Sequence, residues 1–391
     1  MSRHYSPRSF LRHVPLHLLR EFFRAQGLLQ DVAWDALADQ EIEPVYQAWQ
    51  ALPPQQREAA EAGFRDVHEL ACREGIQALI AEAKQQGFDP FAVWQDCAGY
   101  HEQAMLAYLR FGPAFTNASL FYHVDRLPSR YWKRRANLPR VTPREPLLAR
   151  IELQSALSAY FVRAQGRGQR CTVESQVREQ RTHYYFSFPD DYAQNHIAHD
   201  SITGRLRRFP HRPTFEVVFV YNPDAGTLDL FAQGGREVQR DLETLFGQIV
   251  LCQDLGPEPA RPPYELNGLK SRYFTFPTDP DDDIQEVRIR QLRLSTLGKY
   301  KRRLTLEADV FADVDDIYDL MADYLNHEGL PESEYHVTQA TFRIGFKQSG
   351  EDERKSLQFD VTNKSCNLKS LREEYRKLGE KYLRRWGIDR A

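Results

Sequence analysis

Arg130, Tyr131, Trp132, Lys133, Arg134 and Arg135 follow one another in one run, and Arg205, Arg207, Arg208 and Arg212 surround Phe209 in another. Guanidinium groups fork bidentately onto phosphate oxygens and stack on planar rings. Cations interleaved with aromatic side chains make the grooves in which single-stranded nucleic acid neutralises its phosphates and stacks its bases. Both runs lie between Arg126 and Arg212, where 17 basic residues, 16 of them Arg, stand against 7 acidic ones. The whole chain carries −3, so the rest of it is acidic. Such an asymmetry points to a polyanion or an acidic protein partner. The internal alternative is that these Arg pair with acidic blocks on either side and stitch domains together.

A second constellation is His196-Ile197-Ala198-His199-Asp200. Imidazole and carboxylate both suit zinc or iron, which makes His196, His199 and Asp200 candidate metal ligands. Histidines three apart share a face only on a helix or turn, and no Glu lies between them to act as a general base. The stretch 189–204 reads instead as a polar loop. Glu216 and Asp229 offer a nuclease-like carboxylate pair, but no Lys follows in register. The run Asp279-Pro280-Asp281-Asp282-Asp283 echoes a calcium loop without its glycine, and Arg290 occupies the place of the bidentate Glu. It reads as a turn. Phosphate-binding loops, dinucleotide-binding glycine turns and nucleophile elbows are absent from the sequence, so no cofactor is implied.

The elements that must position these groups follow from periodicity. The first 120 residues place apolar side chains at helical spacing: Leu16, Leu19, Phe22 and Phe23; then Ala60, Phe64, Val67 and Ala71, continuing past Gly75 through Ile76 and Leu79. They carry 10 basic and 15 acidic residues, an acidic helical block suited to a protein partner. Pro128, Pro139 and Pro143 punctuate an Arg-rich connector that should be extended or turned. Leu147–Arg163 reads as a helix. From Phe215 the chain follows a strand–strand–helix order three times. In the second round the inward phase slips at Gln291, from Val287 and Ile289 to Leu292 and Leu294, which predicts a β-bulge. The last helix carries Leu368, Leu371, Tyr375, Leu378 and Tyr382 on one face. Lys369, Arg372, Arg376, Lys377, Lys381, Arg384 and Arg385 lie on the other, which reads as a solvated face.

The expected class is α+β: an N-terminal helical domain followed by mixed sheets with repeated ββα units. The boundaries fall at 1–120 for the helical domain and 121–255 for the Arg-rich connector, helix and first ββα unit. A linker and edge strand occupy 256–284, and a ββαββα domain occupies 285–391. Five cysteines without paired spacing argue for a reducing, cytoplasmic setting, and no apolar run reaches membrane-spanning length. The composition hints at a bacterial origin. The leading expectation is a non-enzymatic nucleic-acid-binding protein or complex subunit, gripping DNA or RNA through the two Arg clusters. A metal-dependent nuclease or hydrolase, and a scaffold whose Arg block binds an acidic protein, are the alternatives.

Overall fold

The computed structural model describes residues 4–38, 41–178, 181–200, 203–257, 261–297, 302–309, 316–325, 331–347, 356–371 and 373–390. Arg372 of the last helical face lies outside the described residues. The fold is α+β, with helices first and three antiparallel sheets after them. The chain divides into two compact units. One runs through Leu127 and includes His199–Arg207; the other comprises Pro128–Ala198 and Arg208 onward.

The first unit contains α1 (Pro7–His13), α2 (Leu16–Ala25), α3 (Glu43–Gln50), α4 (Pro54–Leu70), α5 (Arg73–Gln85), α6 (Pro90–Trp94), α7 (Tyr100–Arg110) and α8 (Gly112–Asp125). Leu18, Leu19, Phe22 and Phe23 of α2 are buried against Phe64, Val67, Ala104 and Met105. The run that periodicity joins across Gly75 is broken at Ala71-Cys72, where Cys72 caps α5 by accepting from Gly75 N. A Cβ at Gly75 would collide with the Leu70 carbonyl, so glycine is what lets the two helices turn so tightly. Pro113 sits in the first turn of α8, where its missing N–H costs nothing.

In the second unit, β1 (Trp132–Arg135) leads into α9 (Pro146–Gln165), β2 (Cys171–Arg178) and β3 (Thr182–Pro189). Next come β4 (Gln194–His199) and β5 (Leu206–His211), of which His199, Leu206 and Arg207 are grouped with the first unit, then β6 (Val217–Asn222), β7 (Thr227–Ala232) and α10 (Arg236–Ile249). The five-stranded sheet has the order β1-β7-β6-β3-β2. One face packs Val217, Phe219, Tyr221, Leu228 and Leu230 against Leu153, Leu157 and Phe161 of α9 and Leu242 and Phe246 of α10. Residues of alternate parity, among them Trp132, Arg134, Asp229, Phe231, Val220 and Tyr184, form the opposite face.

The C-terminal part holds β8 (Ile284–Thr296), β9 (Arg303–Glu307), α11 (Ile317–Tyr324), β10 (Tyr335–Phe346), β11 (Ser356–Thr362) and α12 (Glu373–Arg385). Its sheet order is β11-β10-β8-β9, so two ββα hairpins meet along β8 and β10. Thr341 pairs with Gln291 but its neighbour Phe342 pairs with Ile289, leaving Arg290 unmatched. That is a bulge at the position where the hydrophobic phase slips, and it turns both Ile289 and Leu292 into the core.

One segment differs from expectation, and another, expected to be extended or turned, takes a definite place in a sheet. The stretch 189–204 is not simply a loop: β4 pairs with β5 in a separate two-stranded sheet. Every residue of both strands is exposed, so no apolar alternation marks them. The Arg-rich connector, in turn, contributes an edge strand, β1, paired along β7 from Trp132↔Phe231 to Arg135↔Leu228.

Candidate nucleic-acid interface

The first Arg cluster is mostly interior. All four residues of β1 are buried because both faces of this edge strand are covered. Trp132 packs 5.4 Å from Phe231, with the Lys369 ammonium 4.2 Å over its ring. On the same face Arg134 donates from Nε to Asp229 Oδ1 at 2.8 Å and from Nη2 to Oδ2 at 3.0 Å. Its Nη1 reaches Asp389 Oδ2 at 3.0 Å, and Lys369 Nζ lies 2.8 Å from Asp229 Oδ2. On the other face, Lys133 Nζ is 2.9 Å and Arg135 Nη1 3.2 Å from the two oxygens of Glu243 on α10. Arg135 also donates to the carbonyls of Leu255, Gly256 and Pro257.

These are structural ion pairs, and they correct the expectation that Trp132, Lys133, Arg134 and Arg135 present themselves to a polyanion. Only Arg130, stacked 4.7 Å over Tyr131, is exposed in this run, and Tyr131 is half-buried. The remaining Arg of the basic stretch divide similarly. Arg144 pairs with Glu152, Arg150 with Glu174, Arg167 with Asp191, Arg170 with Asp190 and Arg181 with Asp224. Much of the positive charge of the stretch is therefore balanced by carboxylates close at hand in the same unit.

Burial by itself pushes a carboxyl group upward, yet Arg134 and Lys369 outweigh it and hold Asp229 well below the usual carboxylate range. Asp229 is thus committed to an internal pair, which removes it from a nuclease set with Glu216. The sign of its linkage is definite: a depressed folded value contributes stability that is intact above the unfolded carboxylate range and lost as pH falls through the folded value. Asp229→Asn is therefore expected to be less stable than wild type at neutral pH, with the gap closing below about pH 4. Denaturant midpoints of both proteins across an acid series check this; a gap that stays constant to about pH 2 contradicts it.

The second Arg cluster is placed differently. β5 puts Arg207, Phe209 and His211 on one face of the ribbon and Leu206, Arg208 and Pro210 on the other. The His196 ring packs 5.1 Å from His211, so His196 joins the first of these faces. Arg207 is tied to Asp200 at 2.8 Å, and Asp200 also accepts from Thr203 N and Oγ1. Arg205, Arg208 and Arg212 are exposed and have no carboxylate partner among the described residues. Ile197 and Leu206 are 61% and 64% exposed, large apolar side chains that the fold leaves in water.

The metal reading does not assemble. His196 and His199 stand three apart on a strand and so point to opposite faces. His199 Nδ1 lies 3.2 Å from Gly204 O, and Asp200 is occupied as described. Among the described residues no group of three His, Cys, Asp or Glu is placed to hold a metal ion. Burial raises the Cys171 thiol to about 12 and the Cys97 thiol to about 11, so neither is a thiolate at neutral pH.

A further basic surface was legible only in part. The outer face of α12 does not simply point to solvent: Lys381 lies 2.7 Å from Asp282 and 2.6 Å from Asp279, and Arg385 also pairs with Asp279. The acidic turn that echoed a calcium loop is thus a docking point for this helix. Arg376, Lys377, Glu380, Lys381 and Arg384 of α12 line a polar cleft of about 470 Å³ together with Thr182, Tyr184 and Val220 of the five-stranded sheet, while Tyr375, Leu378, Tyr382 and Leu383 pack into the core of the C-terminal sheet. No helix among the described residues is long and apolar enough to cross a membrane. No protein-family model matches this chain, and no curated protein matches it.

Proposed function

We propose that the protein binds nucleic acid through the β4–β5 ribbon, with Arg205, Arg207, Arg208 and Arg212 as the phosphate-binding groups. One observation carries this reading: a two-stranded sheet exposed along its whole length, with three Arg that have no carboxylate partner among the described residues. A lone hairpin is marginal in water, because two strands bury too little apolar surface to offset their ordering. Its exposed Ile197, Leu206 and Phe209 are better placed for an interface than for stability. A two-stranded ribbon also fits the width of a duplex major groove, where Arg forks onto guanine as readily as onto phosphate. The reading needs no catalytic group and no cofactor.

The test is binding to single- and double-stranded DNA and RNA between ~50 and ~200 mM salt. Wild type is expected to bind most tightly at low salt, with an affinity that falls linearly on a log–log plot. Replacing Arg205, Arg208 and Arg212 together by Ala should weaken binding to every sequence tested. The salt slope should become shallower by about 0.9 for each duplex phosphate that the variant no longer neutralises. A wild type that binds nothing at ~50 mM salt, or a triple variant with an unchanged slope, overturns the reading. Equal competition by poly-glutamate would assign the ribbon to an acidic protein instead.

A further inference from the structure

We infer that the outward face of α9 is the contact surface between two copies of this chain, packed antiparallel about a two-fold axis. Helix α9 is apolar on two opposite sides. Its inner side buries Ala149, Leu153, Leu157, Tyr160 and Phe161 in the core of the five-stranded sheet. One flank is tied to β2, where Arg150 lies 3.5 Å from Glu174, and to the chain entering β2, where Ser158 Oγ donates to Gly168 O at 2.8 Å. The other flank meets α10, with Tyr160 Oη donating to Asp241 Oδ2 at 3.4 Å. The remaining side carries Leu148, Ile151, Ser155, Ala159 and Val162 at helical spacing, all exposed.

A helix that is apolar all round belongs in an interior. This one is covered on one side only. Leu148, Ile151 and Val162 are between 44% and 53% exposed, with Leu147 beside them, and no charged residue lies within the row. A contiguous apolar row edged by polar side chains marks a contact surface.

The row is complementary to itself. Its large side chains stand towards the ends, Leu148 and Ile151 at one and Val162 at the other. Ser155 and Ala159 occupy the middle, where small side chains let two backbones approach. Turned antiparallel about a point between Ser155 and Ala159, Ile151 of one copy meets Val162 of the other. The charges on the flank obey the same operation. Glu152 and Arg163 lie along one edge of the row, about three turns apart. Antiparallel packing brings Glu152 of each copy to Arg163 of the other, and does so twice, as a two-fold contact must. A parallel pair would set the two Glu152 at one height and the two Arg163 at another, and would gain neither pair. Glu152 accepts from Arg144 through Oε2 and is half-exposed, which leaves Oε1 for the incoming guanidinium. A helix of 20 residues spans about 30 Å, so the contact lies at the small end of stable interfaces and the dimer is concentration-dependent.

Sedimentation velocity of the full chain, freed of nucleic acid, from ~1 to ~100 µM at ~50 mM salt tests this. The average mass is expected to rise from one chain towards two across that range. Ile151→Glu, at an exposed position, should raise the dissociation constant about tenfold or more while leaving the urea midpoint unchanged. Glu152→Arg and Arg163→Glu should each weaken self-association roughly threefold or more, because each sets like charges together at both ends of the contact. An equimolar mixture of those two variants should associate as tightly as wild type, since it restores both opposite-charge pairs between chains. Arg205→Ala with Arg208→Ala and Arg212→Ala should leave the dimer intact, which separates this surface from the ribbon. The proposal is overturned by a wild type that stays a single chain at ~100 µM, or by an unchanged affinity in Ile151→Glu. Loss of the dimer in the ribbon variant, or a mixture no tighter than its parts, overturns it equally.

Discussion

Arg134→Ala is expected to cost about 3–5 kcal/mol and to lower the urea midpoint of the second unit by about 1 M or more. The size follows from what the guanidinium holds. It forks onto both oxygens of Asp229 and reaches a third carboxylate oxygen on Asp389, in a place where its own side chain is 9% exposed. Ala removes all three bonds and takes the shared guanidinium from two buried carboxylates, with Lys369 still 2.8 Å from Asp229. A stranded buried charge, rather than the missing attraction, is the larger part of the penalty. Arg134→Lys should recover only part of it, because a single ammonium cannot fork across a planar carboxylate. Arg134→Ala combined with Asp229→Ala should cost clearly less than the two changes summed, since the second removes a buried carboxylate that the first has deprived of its bidentate partner. Strict additivity in that cycle would show that the pair is not coupled. By contrast, Arg181→Ala should change little, because Arg181 and Asp224 are both mostly in water.

The same geometry explains which parts of the molecule could be read from the sequence. The β8 bulge was legible because a core on one side forces a strict period of two, and a slip at Gln291 is visible within the one strand. The ββα order was legible for the same reason. The role of Arg134 was not: its partners lie 95 and 255 residues away, and no local period reports a pairing made only by the closed fold. A cation-rich run with aromatic neighbours looks identical whether it faces solvent or carboxylates. The ribbon was missed for the opposite reason, since strands exposed on both faces need no alternation at all. Its Arg205, Arg207, Arg208 and Arg212 were nonetheless singled out by composition. The acidic turn at Asp279–Asp282 was legible as a turn, but its pairing with Lys381 and Arg385 spans about a hundred residues of chain.

Glu243→Gln should be as costly as the loss of Arg134, about 3–5 kcal/mol, for a complementary reason. Glu243 is 1% exposed and receives Lys133 and Arg135 on separate oxygens, so one carboxylate serves two buried cations. The amide keeps the shape but removes the charge, and its NH₂ must face one of the two cations. Arg135 retains its bonds to the carbonyls of Gly256 and Pro257, whereas Lys133 loses the carboxylate that lay 2.9 Å from it. Lys133→Met placed on the Gln variant should therefore restore part of the stability, since the unbranched apolar chain fills similar volume without a charge. Strand alternation sends Arg134 to one face of β1, onto Asp229 and Asp389, and Lys133 and Arg135 to the other, onto Glu243. Asp229→Asn and Glu243→Gln should then combine to within about 0.5 kcal/mol of their sum. Urea denaturation of the single and double variants decides it, and strong non-additivity would mean that the two faces of the sheet are linked through β1 itself.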